Sequence, residues 1–141
     1  MNPDFVVLAA GKGTRMLGPS PKVLLPVGGI AMVQRVLDTV AEIDKSRTIL
    51  VLGDQAKEVK GLLNFGKNTK IVKQRKQLGT AHAVKQALPN IRKNSVAVIL
   101  YGDFPLRFGP LIDAERLASK FDTILVKDVI DGRHRVERVR F

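Results

Sequence analysis

The chain has 141 residues, enough for one domain with a buried core, and 45% of them are hydrophobic. It has no cysteine, which excludes disulfide bonds and thiolate metal sites, and no apolar run reaches the roughly 18 residues of a membrane span. Because the amino terminus also lacks the pattern of a secretory signal, we expect a cytoplasmic protein with no membrane partner.

The formal net charge of +11 suits a polyanionic ligand. Nucleic acid is disfavoured as that ligand, because the 24 basic residues are spread along the whole chain and only one tyrosine and six phenylalanines could stack on bases. A nucleotide attracted by one basic face fits better, and most of the lysines are expected to be ordinary solvated surface residues.

The first predicted element is a buried strand over 5–8, followed by a glycine-rich loop with Gly11 and Gly13. Lys12, Arg15 and Lys22 place three cations within eleven residues of this loop, a combination that suits phosphate. The loop is not a Walker loop, which would need glycine at position 6 and serine or threonine at position 13. It is not a dinucleotide fingerprint either, because position 16 is methionine and no acid lies near 31–36.

The next elements alternate between helix and strand. Gly28 and Gly29 mark a turn. A second strand over 48–52 ends at Gly53 and Asp54, and Asp54 is a candidate N-cap of a second helix. A third strand covers 70–73. The first helix is predicted from apolar residues at three- and four-residue spacing: Met32, Val33, Val36, Leu37, Val40, Ala41 and Ile43; the second carries Val59, Leu62 and Leu63.

A third helix is predicted over Thr80–Leu88, with Thr80 as its N-cap and Pro89 at its end. A buried strand over 96–100 then runs into Tyr101, Gly102 and Asp103. Beyond Phe108 the pattern weakens to a helix near 111–117, a strand over 123–126 and an arginine-rich edge strand over 135–141. The buried side of the third helix is predicted from Ala81, Val84, Ala87 and Leu88.

This alternation predicts a single α/β domain over 1–141, a three-layer α/β/α sandwich with a Rossmann-like, mostly parallel sheet. Ligands of such sheets bind at the carboxyl ends of the strands. The glycine-rich loop and the turn at 101–106 both follow strands, so we expect the sheet to bring them together.

Two residues in these turns could carry chemistry. Asp103 would project at the sheet edge, where a magnesium ion bound to phosphates could use its carboxylate, although an aspartate after a strand is more often a turn residue or helix cap. Gln74 can donate and accept hydrogen bonds, as recognition of a pyrimidine edge requires, although its stretch could equally be a plain loop before an N-cap.

Four motifs occur in order: LAAGKGTRM at 8–16, PKVLLPV at 21–27, QRKQLGTAHA at 74–83 and LYGDFPL at 100–106. As a set they resemble the sugar-nucleotide pyrophosphorylases, and in particular the uridylyltransferase domain of the bifunctional bacterial GlmU enzymes. The resemblance covers residues 5 to about 106. It implies the nucleotide-diphospho-sugar transferase fold and a Mg²⁺-dependent enzyme that joins UTP and N-acetylglucosamine 1-phosphate into UDP-N-acetylglucosamine, releasing pyrophosphate.

The resemblance also implies roles for single residues. Arg15 and Lys22 would be the catalytic cations and Asp103 the metal ligand, while Gly132 would correspond weakly to a sugar-binding glycine; His82 and His134 receive no catalytic role. The nucleotide would be held by Leu8, Ala9, Ala10, Gly11, Gly13, Thr14, Gln74, Gly79, Thr80, Tyr101 and Gly102.

The expected partners are therefore a nucleotide, UTP or a UDP-sugar, and a sugar 1-phosphate. The second lobe that grips the sugar in this family and the acetyltransferase solenoid have no counterpart in the sequence, so we expect a domain shortened after its nucleotide-binding half. Three alternatives stay open: a non-catalytic module binding nucleotides or nucleic acid, an engineered minimal fold, or a family member with another sugar phosphate or base. Self-association through an exposed sheet edge is a further expectation.

Overall fold

The computed structural model describes residues 3–11, 20–43, 46–93, 95–104, 123–130 and 133–138, the last two as backbone. The strands are β1 (Asp4–Ala9), β2 (Pro26–Val27), β3 (Ile30–Ala31), β4 (Arg47–Leu52), β5 (Thr69–Lys73), β6 (Ala97–Tyr101), β7 (Thr123–Ile130) and β8 (Arg133–Arg138). The α-helices are α1 (Met32–Ala41), α2 (Ala56–Leu62) and α3 (Thr80–Ala87), and short 3-10 helices cover Lys22–Leu24 and Leu88–Asn90.

Six strands form one sheet in the order β5-β4-β1-β6-β7-β8. All neighbours are parallel except β7 and β8, which pair antiparallel with a register shift between Val126 and Asp128. The chain leaves β1 toward β4 on one side, whereas β6 pairs on the other side of β1. The carboxyl ends of β1 and β6 therefore flank the point where strand order reverses, which is where open α/β sheets bind ligands.

Alternate residues of β1 enter two different apolar cores. Phe5 and Val7 face α1 and α2 in one core, while Val6 and Leu8 face α3 in the other. The central strands are buried on both faces, as in a parallel sheet covered by helices. The predicted three-layer α/β/α architecture is therefore confirmed.

A hairpin connects the first loop region to α1. β2 and β3 pair around Gly28 and Gly29, whose φ angles of 58° and 78° favour glycine and are typical of two-residue hairpin turns. Arg35 of α1 donates from Nε to the Val27 carbonyl at 2.6 Å, which ties the hairpin to the helix. The predicted turn thus lies inside a hairpin that immediately precedes α1.

Several predictions of detail were wrong. The N-cap of α2 is Gln55, not Asp54, and the N-cap of α3 is Gly79, not Thr80. Gly79 takes this position because its φ of 93° suits a residue without a side chain. Ala83, rather than the exposed Ala81, completes the buried side of α3. Leu88 belongs to the following 3-10 helix and is 37% exposed.

The strands are otherwise close to their predicted positions, and β7 is longer than expected. The predicted helix near 111–117 and the end of the predicted edge strand at 139–141 lie outside the described residues. Within the part of the chain that the structure describes, no helix is long and apolar enough to cross a membrane.

A buried carboxylate lies at the amino-terminal edge of the sheet, which the sequence patterns did not predict. Asp4 is fully buried at the start of β1. Its Oδ2 accepts hydrogen bonds from the Arg92 main-chain nitrogen at 2.7 Å and from Arg47 Nη2 at 3.2 Å. Its Oδ1 accepts from Arg92 Nε at 2.8 Å. This cluster joins β1, β4 and the segment before β6 at the edge opposite the candidate site.

Candidate nucleotide-binding site

The turn after β6 packs directly on the end of β1. Leu8 pairs with Tyr101, and the Gly102 nitrogen donates to the Leu8 carbonyl at 2.8 Å. A Cβ on Gly102 would lie 3.0 Å from that oxygen and 3.1 Å from the Ala9 Cβ. A side chain here would crowd both neighbours, and the small size of glycine lets the two strand ends lie side by side.

Two opposite charges meet beside these strand ends. Lys22 opens the 3-10 helix after the first loop, and its Nζ lies 2.7 Å from Oδ2 of Asp103. These side chains are 81 residues apart in sequence and remain 41% and 32% exposed. Because both keep contact with solvent, a charged ligand can reach either of them.

A third group comes from the loop after β5 and the start of α3. Gln74 is buried, and its Nε2 donates to the Gly79 carbonyl at 3.2 Å and lies 2.9 Å from Nδ1 of His82. Val72, two residues earlier in β5, packs against the α3-side core. Side chains two apart on a strand share a face, so Gln74 projects toward α3. Thr80, in the first turn of α3, is exposed.

A cleft of about 320 Å³ opens beside the end of β1, a volume at the lower end of the range for small-molecule sites. One side of the cleft is closely packed around the Ala10 carbonyl, which the motifs did not predict. Gln77 donates from Nε2 to the Ala10 carbonyl at 2.6 Å, and a Cβ on Gly53 would lie 2.5 Å from that same oxygen. The cleft is lined by Ala9, Ala10, Gly11, Ser20, Pro21, Gly53, Asp54, Gln55, Val59 and Gln77.

The rule that ligands bind at the carboxyl ends of parallel strands could have identified Gly53, because this residue follows β4 at that edge of the sheet. Gln77 had no such signal, because its importance comes from a contact with a main-chain oxygen 67 residues away.

The structure brings together a large part of the predicted site. Ala9, Ala10 and Gly11 line the cleft, and the Gly102 turn and Asp103 lie at the neighbouring strand end. Leu8 is 8% exposed, and its side chain lies in the core. Its carbonyl oxygen accepts from the Gly102 nitrogen, so the main chain of Leu8 contacts the turn after β6. Gly13, Thr14, Arg15 and Gly132 lie outside the described residues.

Asp103 also has the chemistry of a magnesium or manganese ligand, because carboxylate oxygens suit both ions. Its Oδ2 faces a lysine ammonium, and its side chain is about one-third exposed. Among the described residues no group of three or more histidine, cysteine or acidic side chains could enclose a metal ion. One carboxylate nevertheless fits magnesium, which proteins usually hold with one or two carboxylates, waters and substrate phosphates.

The model of the MobA-like NTP transferase domain matches residues 5–128 of the chain. The chain belongs to the MobA-like NTP transferase family. Among curated relatives of this family member, the bifunctional protein GlmU of Cellvibrio japonicus is 47% identical over 103 residues, which are 73% of this chain and 22% of that protein. The matched part of the chain thus spans about a fifth of that relative's length, and the predicted resemblance to GlmU is confirmed.

Solved structures agree on the fold. Rv0371c from Mycobacterium tuberculosis, crystallised as a complex with manganese, is 25% identical, with a TM-score of 0.63 over 84% of this chain and 59% of that one. The UDP-glucose pyrophosphorylase from Acinetobacter baumanii has a TM-score of 0.71 at 18% identity, over 86% of this chain and 54% of that one. The expected fold of the nucleotide-diphospho-sugar transferase type is therefore confirmed.

Proposed function

We propose that this MobA-like NTP transferase domain is a nucleotidyltransferase of the sugar-nucleotide pyrophosphorylase kind, which joins UTP and N-acetylglucosamine 1-phosphate into UDP-N-acetylglucosamine and pyrophosphate. The observation that carries the proposal is the contact of Lys22 Nζ with Asp103 Oδ2 at 2.7 Å, beside the switch point of the sheet. The similarity to GlmU supports the choice of uridine nucleotide and amino sugar.

The reaction needs little covalent chemistry from the protein. A phosphate oxygen of the sugar 1-phosphate attacks the α-phosphorus of UTP, and the bond from that phosphorus to the bridging oxygen of the pyrophosphate breaks. The attacking oxygen is already ionised at neutral pH, so no general base is required. Catalysis then depends on alignment of the two phosphates and on neutralisation of their charge.

The chain's own residues supply both requirements in this proposal. The Gly11 main chain allows close approach of the nucleotide to the end of β1, beside the cleft. Lys22 exchanges its contact with Asp103 for a contact with phosphate oxygens, which leaves the Asp103 carboxylate free as a ligand of Mg²⁺. A Mg²⁺ held by Asp103 would neutralise charge on the phosphates, and the manganese complex of Rv0371c supports a divalent ion in this fold.

The remaining roles follow the resemblance. Leu8, Ala9 and Ala10 border the uracil and ribose, Gly13, Thr14 and the catalytic Arg15 hold the departing pyrophosphate, and Gly132 contacts the sugar. Gln74, Gly79 and Thr80 contact the base, and Tyr101 and Gly102 support the nucleotide. The grouping of Gln74 with Gly79 by a direct hydrogen bond supports a shared role for these two residues.

Pyrophosphate release from UTP and N-acetylglucosamine 1-phosphate, measured with Mg²⁺ present, tests this function. We expect turnover that falls at least about a hundredfold in Asp103→Asn, since loss of one preorganised electrostatic group costs that much in other enzymes. Asp38→Asn, on the exposed side of α1, is the matched control and should keep the parent rate. Equal rates in the parent and Asp103→Asn would refute the assignment.

A second candidate is a nucleotide-binding module without turnover. It is favoured by the Lys22–Asp103 ion pair, in which the two charged groups proposed for phosphate and metal contact each other at 2.7 Å. Binding of UTP without pyrophosphate release would select the module. RNA binding that weakens steeply with salt and shows no competition by UTP would instead indicate that the net charge of +11 serves nucleic acid.

A further inference from the structure

The side chain of Gln74 is held by two acceptors of different kinds. The Gly79 carbonyl oxygen can only accept a hydrogen bond, and it also receives the Ala83 main-chain N–H at 3.1 Å. Because the Gln74 amide lies 3.2 Å from this oxygen, its nitrogen and not its oxygen must face Gly79. The Gly79 carbonyl therefore decides which way the Gln74 amide is turned.

This orientation selects the tautomer of the neutral His82 ring. With the Gln74 nitrogen also 2.9 Å from His82 Nδ1, the second amide hydrogen points at the ring, and Nδ1 must accept it. A neutral imidazole with an accepting Nδ1 carries its proton on Nε2. That nitrogen lies 3.3 Å from the side-chain nitrogen of Gln86, which also lies 3.5 Å from the His82 main-chain oxygen; Gln86 gives up this long contact when its amide turns the oxygen toward the ring to receive the proton.

Both amide hydrogens of Gln74 are consequently engaged inside the protein. The Gln74 oxygen takes part in neither contact, so at the proposed site Gln74 accepts a hydrogen bond from a base and does not donate one. A base presented to that oxygen must offer an N–H at the facing position.

We infer that His82 is a positioning residue that locks Gln74 as a hydrogen-bond acceptor and thereby selects a base with an N3–H, such as uracil, over cytosine. The inference rests on the proposed nucleotide site. N3 of uracil carries a hydrogen, whereas N3 of cytosine is itself an acceptor and would face the Gln74 oxygen unfavourably. Sites built around one such hydrogen bond discriminate strongly against analogues that lack the hydrogen.

The first test uses the unmodified protein and no nucleotide. Long-range ¹H–¹⁵N correlation spectra of the histidine rings distinguish the two neutral tautomers. We expect His82, assigned by its loss in His82→Asn, to carry its proton on Nε2 at pH above 7.5. A proton on Nδ1 would overturn the inference without touching the proposed function.

The second test measures dissociation constants of UTP, CTP and N3-methyl-UTP by calorimetry in the presence of Mg²⁺. The parent should bind UTP at least tenfold more tightly than the other two nucleotides. His82→Leu, which cannot accept, should lose most of this preference, whereas His82→Asn retains an acceptor near the Nδ1 position and should keep it. A merely structural role of His82 would weaken the three nucleotides equally.

The outcomes separate the two proposals. Absence of UTP binding by the folded parent would overturn the proposed function and, with it, this inference. Binding with an unchanged preference in His82→Leu would overturn the inference alone. If His82→Leu does not fold, judged by circular dichroism, the tautomer and the selectivity of the parent and His82→Asn still decide: an Nδ1 proton, or no preference for UTP over N3-methyl-UTP, refutes the inference.

Discussion

Replacing Asp4 by alanine removes the acceptor that joins three segments at the amino-terminal edge of the sheet. Asp4 is fully buried and accepts from Arg47 Nη2, from Arg92 Nε and from the Arg92 main-chain nitrogen. The Arg92 N–H would lose its partner, and loss of one partner from a buried ion pair costs about 3–5 kcal/mol. Both arginine side chains are about one-third exposed and can recover part of their hydration, so we place the loss near the lower limit, about 3 kcal/mol.

Urea denaturation followed by circular dichroism measures this loss, and for a domain of this size about 3 kcal/mol corresponds to roughly 10 °C in Tm. Asp38→Ala is the matched control, because Asp38 accepts a hydrogen bond from Gln34 Nε2 in an exposed position and should change stability by less than about 0.5 kcal/mol. A loss below about 1 kcal/mol in Asp4→Ala would refute the reasoning. Should that variant not fold, Arg47→Met, with an expected loss of about 1 kcal/mol, provides the measurement.

The affinity for UTP gives a second readout of the same variant. Asp4 and the candidate site lie at opposite ends of β1, roughly 16 Å apart for five steps of a strand. The folded fraction of Asp4→Ala should therefore bind UTP as the parent does. A large change in its dissociation constant would show that the buried cluster and the site are coupled.

Three further predictions concern the site itself. Gly53→Ala should lower the free energy of unfolding by about 1–3 kcal/mol and weaken UTP binding, because its Cβ would lie 2.5 Å from a main-chain oxygen. Gly61→Ala, with open space around it in α2, should be neutral or stabilising. Lys22→Gln should change stability by less than about 1 kcal/mol, as expected for a partly exposed ion pair with Asp103, while turnover falls at least about a hundredfold. Gln77→Ala should raise the KM for UTP more than it lowers kcat, because it releases the main chain at the end of β1.

Each of these predictions has a contrary result. Equal stability of the two glycine variants would show that the end of β4 accommodates a side chain at position 53 without strain. Retained turnover in Lys22→Gln, with Lys60→Gln on α2 as the charge-matched control, would remove the lysine from the mechanism. An unchanged KM in Gln77→Ala would show that its hydrogen bond to Ala10 does not position the nucleotide. Thermal melts and steady-state pyrophosphate release supply all three measurements.

The sequence predicted the strands of the six-stranded sheet and the three layers because each depends on short-range patterns, whereas the two-residue strands β2 and β3 were not predicted. Apolar runs such as 5–8 and 96–100 identify buried strands, and alternation with helices implies a parallel sheet. The approach of the glycine-rich loop to the turn after β6 was also predicted, since parallel strands end at one edge, but the ion pair of Lys22 with Asp103 was not.

Contacts between distant polar groups could not be predicted in this way. Asp4 received no interpretation from the sequence, yet it is fully buried, with two arginines from other segments around its carboxylate. His82 had no assigned role because its hydrogen bond to Gln74 depends on the turn made by Gly79. The caps of α2 and α3 were misplaced by one residue, because propensity favours aspartate and threonine whereas the loop geometry placed Gln55 and Gly79 there.

A crystal structure of the protein with UTP and Mg²⁺ bound would test the central claim most directly, because it observes the base, phosphate and metal contacts together. We predict that the triphosphate lies at the carboxyl ends of β1 and β6, where Lys22 contacts a phosphate oxygen and Asp103 binds the metal. The Gln74 oxygen should face N3 of uracil. A nucleotide bound elsewhere on the molecule, or the Lys22–Asp103 pair intact at 2.7 Å beside a bound nucleotide that touches neither residue, would contradict it.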